Sequence, residues 1–543
     1  MDTRRLVVAL FLIAVLGLAQ VATSRLEGTI QDDSGAVIPG AKVTALNTKT
    51  QARSELTSSA EGMFIFPSLQ PGVYTVSVEA AGFRKAVVND LELNAASTVS
   101  QRIKLEIGQV TESVVVEANA VRVQTSEAQI GRNVTMRDID TLPQLGRNPI
   151  ILAVFQPGVQ IVNPGDVTFS TVNGLRQGSN NAKLDGIDVN DAVVPRMGLS
   201  MTANNTDSIG EFRMVTSGGK AEYGRSAGGQ VELITRSGTN NWRGNGFDYL
   251  RNTVLNASTF FNNASGVKRP KYIQNLFGGS LGGPIFKNKT FIFGNYQGSR
   301  VKQEVVRNRT VLTPQAKQGI FRWPGGSYDI ARNDPRGKGV DPEMAKIFKL
   351  LPDPNNTDLG DGFNTAGFRF NNPNDSSNNQ VTIKADHNVS SGHRIFFRYS
   401  WFKTYAIDAL NNQDAPYPGM PQGAQGGIRW GYSVGSDWAI TPTIVNEFRL
   451  GRQSATADFW RPGRLKGPTI ISNLFTDPYS SAFAQGRNSP VNDLTDNITK
   501  IRNNHTFKAG VNMRFITQYG YNDANIYPNV TLATSFGNTV PTS

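Results

Sequence analysis

The chain has 543 residues, no cysteine and a formal net charge of +12 at pH 7. This length predicts several domains, and the lack of cysteine excludes a disulfide framework, a thiolate metal site and a cysteine nucleophile. The 54 glycines and 27 prolines favour a β-rich fold of short strands and turns, and the basic residues form no long run of the kind that binds nucleic acid.

The first 24 residues have the pattern of a secretory signal peptide. Arg4 and Arg5 precede an apolar stretch at residues 6–18, and small or polar residues follow at 19–24. An uncleaved membrane anchor is the alternative, but the stretch is shorter than the roughly 20 residues that span a bilayer. No later segment has the pattern of a transmembrane helix, so we expect any membrane crossing to use β-strands.

Residues 25–107 alternate strand-like runs with turn sequences, which predicts a small antiparallel sandwich. Tyr74, Val76 and Val78 share one face of a strand because side chains alternate with a period of two, and we expect that face in the core. The order of these runs, with a turn at 71–72, resembles the carboxypeptidase-regulatory-like domain. The resemblance implies a prealbumin-like sandwich, related to carbohydrate-binding-like folds, without catalytic residues of its own.

Residues 108–123 form a linker that contains a short β-prone run. The run comprises Thr111, Glu112, Ser113, Val114, Val115, Val116 and Glu117. Its composition is equally consistent with a strand that adds to a partner's sheet edge and with a final strand of the sandwich. Its position between a regulatory-like domain and a plug-like segment resembles that of the TonB box in transporters with this extension, which implies contact with TonB.

Residues 124–240 mix glycine-rich turns and short strands with one helix candidate at 136–142, and they resemble the plug domain of TonB-dependent outer-membrane transporters. The resemblance is carried by Asn173, Gly174, Arg176, Asp185, Gly186, Tyr223, Gly224, Gly228 and Gly229. The plug pattern usually has arginine directly before its first glycine, whereas here Arg176 is displaced, as is typical of the Oar-like branch. The resemblance implies an α+β plug. Because of the displaced arginine, the substrates of siderophore receptors give no basis for inferring the substrate of this chain.

Two groups of carboxylates have a spacing that could suit a cation, and we interpret both as turn or strand residues. Asp32 and Asp33 lie in an Asp-Asp-Ser-Gly turn sequence with no third ligand at a metal-site spacing. Asp185, Asp188 and Asp191 are interspersed with hydrophobic residues, which favours a strand whose alternate side chains are solvated. We therefore expect neither metal ions nor cofactors.

The sequence offers little that could support catalysis. Residues 224–228 fit the G-x-S-x-G pattern around Ser226, but a β-like segment follows where a nucleophile elbow requires a helix. The three histidines, His387, His393 and His505, lie in strand or turn contexts far along the chain. We expect no enzyme activity, and a secreted hydrolase that uses Ser226 is the weakest alternative.

From residue 241 onward the chain alternates apolar and polar positions over segments of about ten residues. In the clearest segment, Phe507 and Phe515 belong to an apolar face, and Lys508 and Arg514 belong to a charged one. We expect such strands at 244–252, 274–283, 290–299, 380–389, 395–401, 431–440, 443–451 and 507–515. The polar stretches between them, at 300–379, 403–430 and 453–505, are expected to be long outer loops.

This half of the chain resembles the start of an Oar-like barrel. The sequence therefore predicts a mainly β protein with a sandwich, an α+β plug and, over residues 241–543, the first strands of a large transmembrane β-barrel. A barrel of about eight strands is filled by its own side chains and cannot enclose a plug, which needs roughly twenty-two strands. We expect a chain that is truncated within its barrel.

The resemblance implies TonB-dependent import of a solute across the outer membrane of a Gram-negative-type bacterium, with the N-terminal domain in the periplasm. The implied partners are the inner-membrane TonB/ExbB/ExbD complex, outer-membrane lipid and an extracellular solute, without nucleic acid. Siderophore, glycan, peptide and cobalamin stay open as solutes, and the resemblance of the extension to that of glycan importers favours carbohydrate. The alternative is a surface carbohydrate-binding or adhesin-like β-protein without transport activity, which long polar loops would suit.

Overall fold

The computed structural model describes most of the chain from residue 23 onward. The described ranges are 23–95, 97–108, 113–116, 129–141, 147–162, 170–194, 205–224, 226–409, 411, 413–461, 469–472, 474–478, 484–502, 505–523 and 529–531. The expected signal peptide, residues 1–24, lies almost wholly outside them. Within these ranges no helix combines the length and the apolar character needed to cross a membrane.

The N-terminal part is a sandwich of two sheets. Its strands are β1 (Ser24–Asp32), β2 (Lys42–Asn47), β3 (Arg53–Thr57), β4 (Met63–Leu69), β5 (Gly72–Glu79), β6 (Lys85–Leu93), β7 (Thr98–Leu105) and β8 (Ser113–Val116). One sheet has the order β4-β1-β7 and the other β3-β2-β5-β6-β8. Tyr74, Val76 and Val78 are buried between the sheets, which confirms the predicted core face.

Asp32 closes a turn in this sandwich. Its Oδ1 accepts hydrogen bonds from the backbone N–H groups of Ser34 and Ala36, both at 2.9 Å. The hydrogen bond from the Ser34 hydroxyl is the main cause that lowers the pKa of the Asp32 carboxyl. The Asp-Asp-Ser-Gly sequence therefore forms a turn, as predicted.

The central part, residues 129–235, is called the plug-like segment below. Its elements are β9 (Ile130–Val134), α1 (Met136–Thr141), β10 (Val159–Ile161), β11 (Ser170–Val172), β12 (Asn181–Leu184), β13 (Ile187–Asp188), β14 (Ile209–Ser217) and β15 (Gln230–Thr235), with 3₁₀ turns at Pro149–Phe155, Gln177–Ser179 and Ala221–Tyr223. Five strands form one sheet in the order β13-β12-β15-β14-β9. Leu184, Phe212 and Leu233 anchor a hydrophobic core of its own.

The C-terminal part is dominated by one antiparallel sheet, called the large sheet below. The elements from here on are β16 (Arg243–Asn252), a 3₁₀ turn (Thr253–Leu255), α2 (Phe260–Ala264), β17 (Tyr272–Phe286), β18 (Thr290–Leu312), α3 (Pro314–Lys317), β19 (Ile320–Trp323), β20 (Gly326–Asp329), α4 (Pro342–Phe348), β21 (Thr365–Pro373), β22 (Ser376–Ser390), β23 (His393–Ile407), β24 (Ala424–Thr441), β25 (Ile444–Trp460), β26 (Thr469–Ile471), β27 (Gln485–Asn488), β28 (Val491–Arg502), β29 (His505–Ile516), β30 (Tyr519–Asn522) and β31 (Asn529–Thr531). Over the described residues the large sheet contains twelve of these strands.

The large sheet is apolar on its outer face and polar on the inner face that contacts the plug-like segment. Phe397, Val434 and Leu450 lie in register on neighbouring strands and are all exposed on the outer face. Lys384 and Arg398, also in register, are buried on the inner face. This inverted distribution suits a sheet that separates lipid from a polar interior, because the apolar face then contacts lipid and the polar face contacts polar groups.

Each expected strand of this region is present, but the strands are longer than predicted and the expected loops are shorter. The polar stretch 453–505 was predicted as a loop, whereas it contains β28 and the end of β25. The prediction was wrong because the alternation of β28 places polar side chains such as Asp493, Thr495 and Asn497 on the buried inner face. A strand that is polar on its buried side gives little hydrophobic signal.

Short turns connect the strands at one end of the large sheet, and the sandwich lies at that end. Arg25 Nη1 donates to Thr506 Oγ1 at 3.1 Å, and Asn240 N donates to the carbonyl oxygen of Lys49 at 3.1 Å. At the other end, the longer connections pack around a separate hydrophobic cluster that includes Leu351 and Tyr417. The two ends of the sheet therefore face different surroundings.

Candidate functional site

The plug-like segment contacts the large sheet through a hairpin, residues 181–191, called the central hairpin below. Its strands β12 and β13 are joined at Asp185 and Gly186, whose φ angles are +50° and +83°. Positive φ at both central positions defines a type I′ turn, for which Asp-Gly is a preferred sequence. The turn projects the hairpin onto the inner face of the large sheet.

Asp185, at the tip, pairs with two cations of the large sheet. Its oxygens lie 3.2 Å from Lys384 Nζ and 3.3 Å from Arg398 Nε, and Thr235 Oγ1 donates to Oδ2 at 2.6 Å. All four side chains are buried. Burial by itself raises the pKa of Asp185, but the two positive charges and the Thr235 hydrogen bonds outweigh it and hold the pKa below its usual value.

Asp188, three residues further on, contacts β29, the last long strand of the large sheet. Its carboxylate pairs with Arg514 of β29, and its backbone N–H donates to Asp493 Oδ2 at 3.1 Å. Asn190 N also donates to Asp188 Oδ1 at 3.0 Å. The second carboxylate of the hairpin is therefore held by a different strand of the large sheet from the first.

Asp191 pairs with Arg487 of β27 at 3.1 Å. Its Oδ1 also accepts hydrogen bonds from the backbone N–H groups of Val193 and Val194, at 2.8 and 3.0 Å. Burial acts to raise the pKa of Asp191, but these hydrogen bonds and the Arg487 charge together lower it. The ion pairs of the three carboxylates Asp185, Asp188 and Asp191 are called the carboxylate ladder below.

Two glycines allow the close approach on which the carboxylate ladder depends. A Cβ atom built on Gly451 of β25 would lie 2.7 Å from Ile187 Cγ1, closer than real Cβ contacts. A Cβ atom on Gly186 would lie 3.1 Å from Arg449 Cγ. The close fit of the hairpin against the large sheet therefore depends on the missing side chain at Gly451, whereas a side chain at Gly186 would require the Arg449 side chain to shift.

The prediction that Asp185, Asp188 and Asp191 are solvated was wrong. All three carboxylates are buried, because the large sheet covers the hairpin and supplies a cation to each of them. Sequence reasoning missed Lys384, Arg398 and Arg487 as functional residues. The available signal was a strand that is charged on one face and apolar on the other, and this pattern was recognised around Arg398 and Arg514 but was not linked to the carboxylates.

The other plug motif residues shape the turns of the plug-like segment. Asn173 and Gly174 form a second type I′ turn, with φ of +50° and +73°, and Asn173 Nδ2 donates to the carbonyl oxygen of Thr216 at 2.7 Å. Arg176 is exposed at the start of a 3₁₀ turn. Tyr223 is buried.

Three more motif glycines lie next to the same turn region. Gly224 has a positive φ of +51°, which a residue without Cβ adopts readily. A Cβ atom on Gly228 would lie 2.8 Å from the carbonyl oxygen of Ser179, and one on Gly229 would lie 2.9 Å from Val172 Cγ2. These residues fold the segment but do not touch the carboxylate ladder.

The structure brings together no catalytic or metal-binding constellation in its described parts. Ser226 is followed by strand β15, and His387 bonds Thr290 Oγ1 on the large sheet. No group of three or more His, Cys, Asp or Glu residues in the described ranges could hold a metal ion.

The β-prone run of the linker lies partly within the sandwich. Ser113–Val116 forms β8, which pairs in parallel with β6 at the edge of the second sheet. This agrees with the interpretation as a final sandwich strand. Thr111, Glu112 and Glu117 lie outside the described residues, and contact of the run with TonB stays a prediction.

The sandwich is attached to both other parts of the molecule. Glu447 Oε1 on the large sheet accepts hydrogen bonds from Thr23 Oγ1 and Ser68 Oγ, at 2.8 and 2.9 Å. Glu211 Oε1 on the plug-like segment accepts a bond from Ala95 N of the sandwich at 2.8 Å. Asn133 Nδ2 donates to the same Glu211 oxygen at 2.8 Å and to the Ala95 carbonyl oxygen at 2.9 Å.

Comparison with known proteins relates these parts to two families. Residues 234–543 match the model of the outer membrane beta barrel domain, and residues 25–106 match that of the carboxypeptidase regulatory-like domain. The chain is 26% identical over 282 residues to the TonB-dependent transporter Oar of Myxococcus xanthus. That alignment covers 50% of this chain and 26% of the relative, so the chain spans about a quarter of that protein's length.

Solved structures of a transporter and of a receptor are also similar to the chain. The outer membrane transporter YddB from Escherichia coli has a TM-score of 0.46 at 12% identity, and the siderophore receptor PirA from Acinetobacter baumannii has a TM-score of 0.42 at 13% identity. Each similarity covers 72% of this chain and 48% of the other.

Proposed function

The chain belongs to the outer membrane beta barrel domain family and is an outer-membrane protein, and on this premise we propose that it imports a solute by TonB-dependent displacement of its plug-like segment. The proposal assigns no covalent chemistry to the chain. The relative with sequence similarity to it, Oar of Myxococcus xanthus, is a TonB-dependent transporter.

The observation that carries the proposal is the carboxylate ladder. A segment that must leave its place and return needs contacts that water can replace, and ion pairs meet that need better than a continuous hydrophobic interface. The plug-like segment has its own hydrophobic core, while its central hairpin is held to the sheet by Asp185, Asp188 and Asp191. It can therefore move as a folded body.

The position of β8 supports a role as the point where TonB pulls. β8 has four residues, pairs in parallel and forms a sheet edge, and parallel pairing is slightly weaker per residue than antiparallel pairing. Such a strand can leave β6 and add to a partner's sheet. The next described strand along the chain is β9, the edge strand of the plug-like sheet, so we expect a pull on β8 to act on the plug-like segment.

For the solute we propose carbohydrate as the class to test before siderophore, peptide and cobalamin. The sandwich resembles the extension of glycan importers. In addition, Phe321 and Trp323 stack side by side on the β19–β20 hairpin with centroids 6.0 Å apart, and both are about half exposed. Exposed aromatic faces of this kind suit the apolar faces of sugar rings.

The experiment removes residues 111–117 from the full chain and measures two quantities. We expect loss of binding to the purified periplasmic domain of TonB and loss of energy-dependent uptake of labelled glycans, with unchanged assembly in the outer membrane. Val115→Pro removes one backbone donor and should act like the deletion, whereas Val115→Thr keeps the donor and a high strand propensity and should not. Unchanged TonB binding and uptake after the deletion would contradict the proposal.

The rival function, a surface carbohydrate-binding protein without transport, makes a different prediction for the same experiment. It predicts that glycans bind to cells equally well with and without residues 111–117, and that no labelled glycan enters the periplasm in either case.

A further inference from the structure

The ion pairs of the carboxylate ladder differ in their distance from the sandwich. Arg514 lies in the same register row as Lys384, through Asp493 and Gly451, which is six residues before Ala457 on β25. Lys384 is six residues from Ser390, where β22 ends at the turn nearest the sandwich. Arg487 lies opposite Ala457, thirteen residues from Ile444, where β25 starts at the same end. At about 3.3 Å per residue along tilted strands, Arg487 lies on the order of 15–20 Å further from the sandwich. Asp191–Arg487 is therefore the pair nearest the outer end.

A second arginine accompanies this outermost pair. Arg429 is in register with Ala455 on β25, and Arg487 is in register with Ala457, so both arginines project from the same face of the sheet. The charges of Asp191 and Arg487 both act on Arg429, whose guanidinium also lies 5.6 Å from the Phe402 ring centroid. Two guanidinium groups therefore lie on the same face of the sheet within electrostatic range of the Asp191 carboxylate.

The outermost pair also has the most exposed cation of the carboxylate ladder. The Arg487 side chain is 20% exposed, compared with 15% for Arg514, 4% for Lys384 and 1% for Arg398. A solute that enters from the outer end therefore meets Arg487 before it meets the other cations of the carboxylate ladder.

We propose that Arg487 and Arg429 form a binding site for an anionic group of the transported solute, a carboxylate or a phosphate, which takes the place of Asp191 on Arg487. This inference rests on the proposed import function and deepens it, because it states the chemical class of the solute. A guanidinium binds carboxylates and phosphates through paired N–H donors, and two of them facing one point select an anion over a neutral group.

The exchange couples solute binding to the state of the plug. When the solute's anion occupies Arg487, Asp191 keeps the hydrogen bonds from Val193 and Val194 but loses its ion pair with β27. The outer end of the central hairpin is then released while Asp185 still holds the inner end. A loaded transporter therefore differs from an empty one in how firmly its plug is held.

The test measures binding of galacturonate, its neutral counterpart galactose, and pyrophosphate to the detergent-purified full chain by calorimetry. We expect both anions to bind and galactose to bind at least about tenfold more weakly. Asp191→Asn removes the competing carboxylate and should tighten anion binding by about tenfold. Arg487→Gln should abolish anion binding, whereas Arg487→Lys should retain part of it because it keeps the charge.

Arg452→Gln is the matched control, because Arg452 lies on β25 next to the site in sequence but projects from the other face, toward Asn492. Its anion binding should equal that of the unaltered chain. Pyrophosphate binding without galacturonate binding would identify phosphate as the group, and the reverse would identify carboxylate. Equal binding of galactose and galacturonate, or anion binding that survives Arg487→Gln, would overturn the proposal, even if deletion of residues 111–117 abolishes TonB binding.

Discussion

At the scale of single residues, the decisive feature is how a buried charge is compensated. Asp185 is surrounded by Lys384, Arg398 and Thr235, so that two positive charges face one carboxylate in a region that water does not reach. A pair of this kind adds little stability compared with an apolar contact, but removing one partner leaves the others buried without a counter-charge.

We predict that Asp185→Asn weakens the attachment of the plug-like segment by about 3 kcal/mol, since Lys384 and Arg398 then repel each other without compensation. The measurement is hydrogen exchange of the backbone amides of β12 and β15 in the detergent-purified chain. Asp353→Asn breaks an exposed pair with Lys317 and should change the same exchange rates by less than about 0.5 kcal/mol. Equal effects of the two substitutions would show that burial of the Asp185 pairs does not determine how strongly the plug-like segment is attached.

At the scale of elements, close approach between the central hairpin and β25 depends on an absent side chain. Gly451 faces Ile187, and the backbone oxygen of Tyr432 lies 2.8 Å from the position that a Cβ atom would take. Because the neighbouring strand β24 cannot yield at its backbone, a side chain at Gly451 has to extend toward Ile187 and press on the hairpin.

We predict that Gly451→Ala displaces the central hairpin and costs about 1–3 kcal/mol of attachment free energy. Gly294 of β18 is the matched control, because no atom lies within 4 Å of a Cβ atom built there, so Gly294→Ala should be nearly neutral. Protease cleavage within residues 185–191 should become faster in the first variant only. Similar cleavage rates in both variants would contradict this account of the contact.

At the scale of the whole molecule, the sandwich is tied to the plug-like segment through a titratable group. Burial is the main cause that raises the pKa of Glu211 to about 7 from 4.5, although hydrogen bonds from Asn133 and Ala95 and the charge of Arg213 act in the opposite direction. The charge of Glu92 adds to the increase. The docked sandwich therefore favours the protonated carboxyl.

We predict that docking of the sandwich depends on pH through Glu211. Because the docked state binds the proton more tightly, its extra stability is complete below about pH 4.5 and is lost as the pH rises through about 7. The total change is on the order of 3 kcal/mol, at about 1.4 kcal/mol for each pH unit. Glu211→Gln should remove this pH dependence, whereas Glu61→Gln, on an exposed turn of the sandwich, should leave it intact.

The chain lacks cysteine, so docking can be followed with labels on Lys104→Cys in the sandwich and Ser391→Cys on a turn of the large sheet. Both positions are exposed. From pH 4.5 to pH 8, the mean distance between the labels should increase, or its distribution should broaden, in the chain that retains Glu211. A distance that does not change over this range would contradict the assigned role.

Local patterns in the sequence determined the parts of this protein. Alternation of apolar and polar residues predicted the core face with Val76 and the strands of the large sheet, because side-chain direction along a strand has a period of two. Glycine after asparagine or aspartate is also the local pattern at the turns of Asn173 and Asp185, since few residues accept a positive φ. The same reasoning missed β28, whose buried side is polar.

Only the tertiary structure decided which charges meet. Asp185 and Lys384 are 199 positions apart, and Asp191 and Arg487 are 296 apart, so no local pattern indicates that they pair. The carboxylates of the central hairpin look solvated in sequence because alternation with hydrophobic residues is also what a surface strand shows. Their burial follows from the large sheet that covers them, since a buried carboxylate needs a cation and the sheet supplies one at each position.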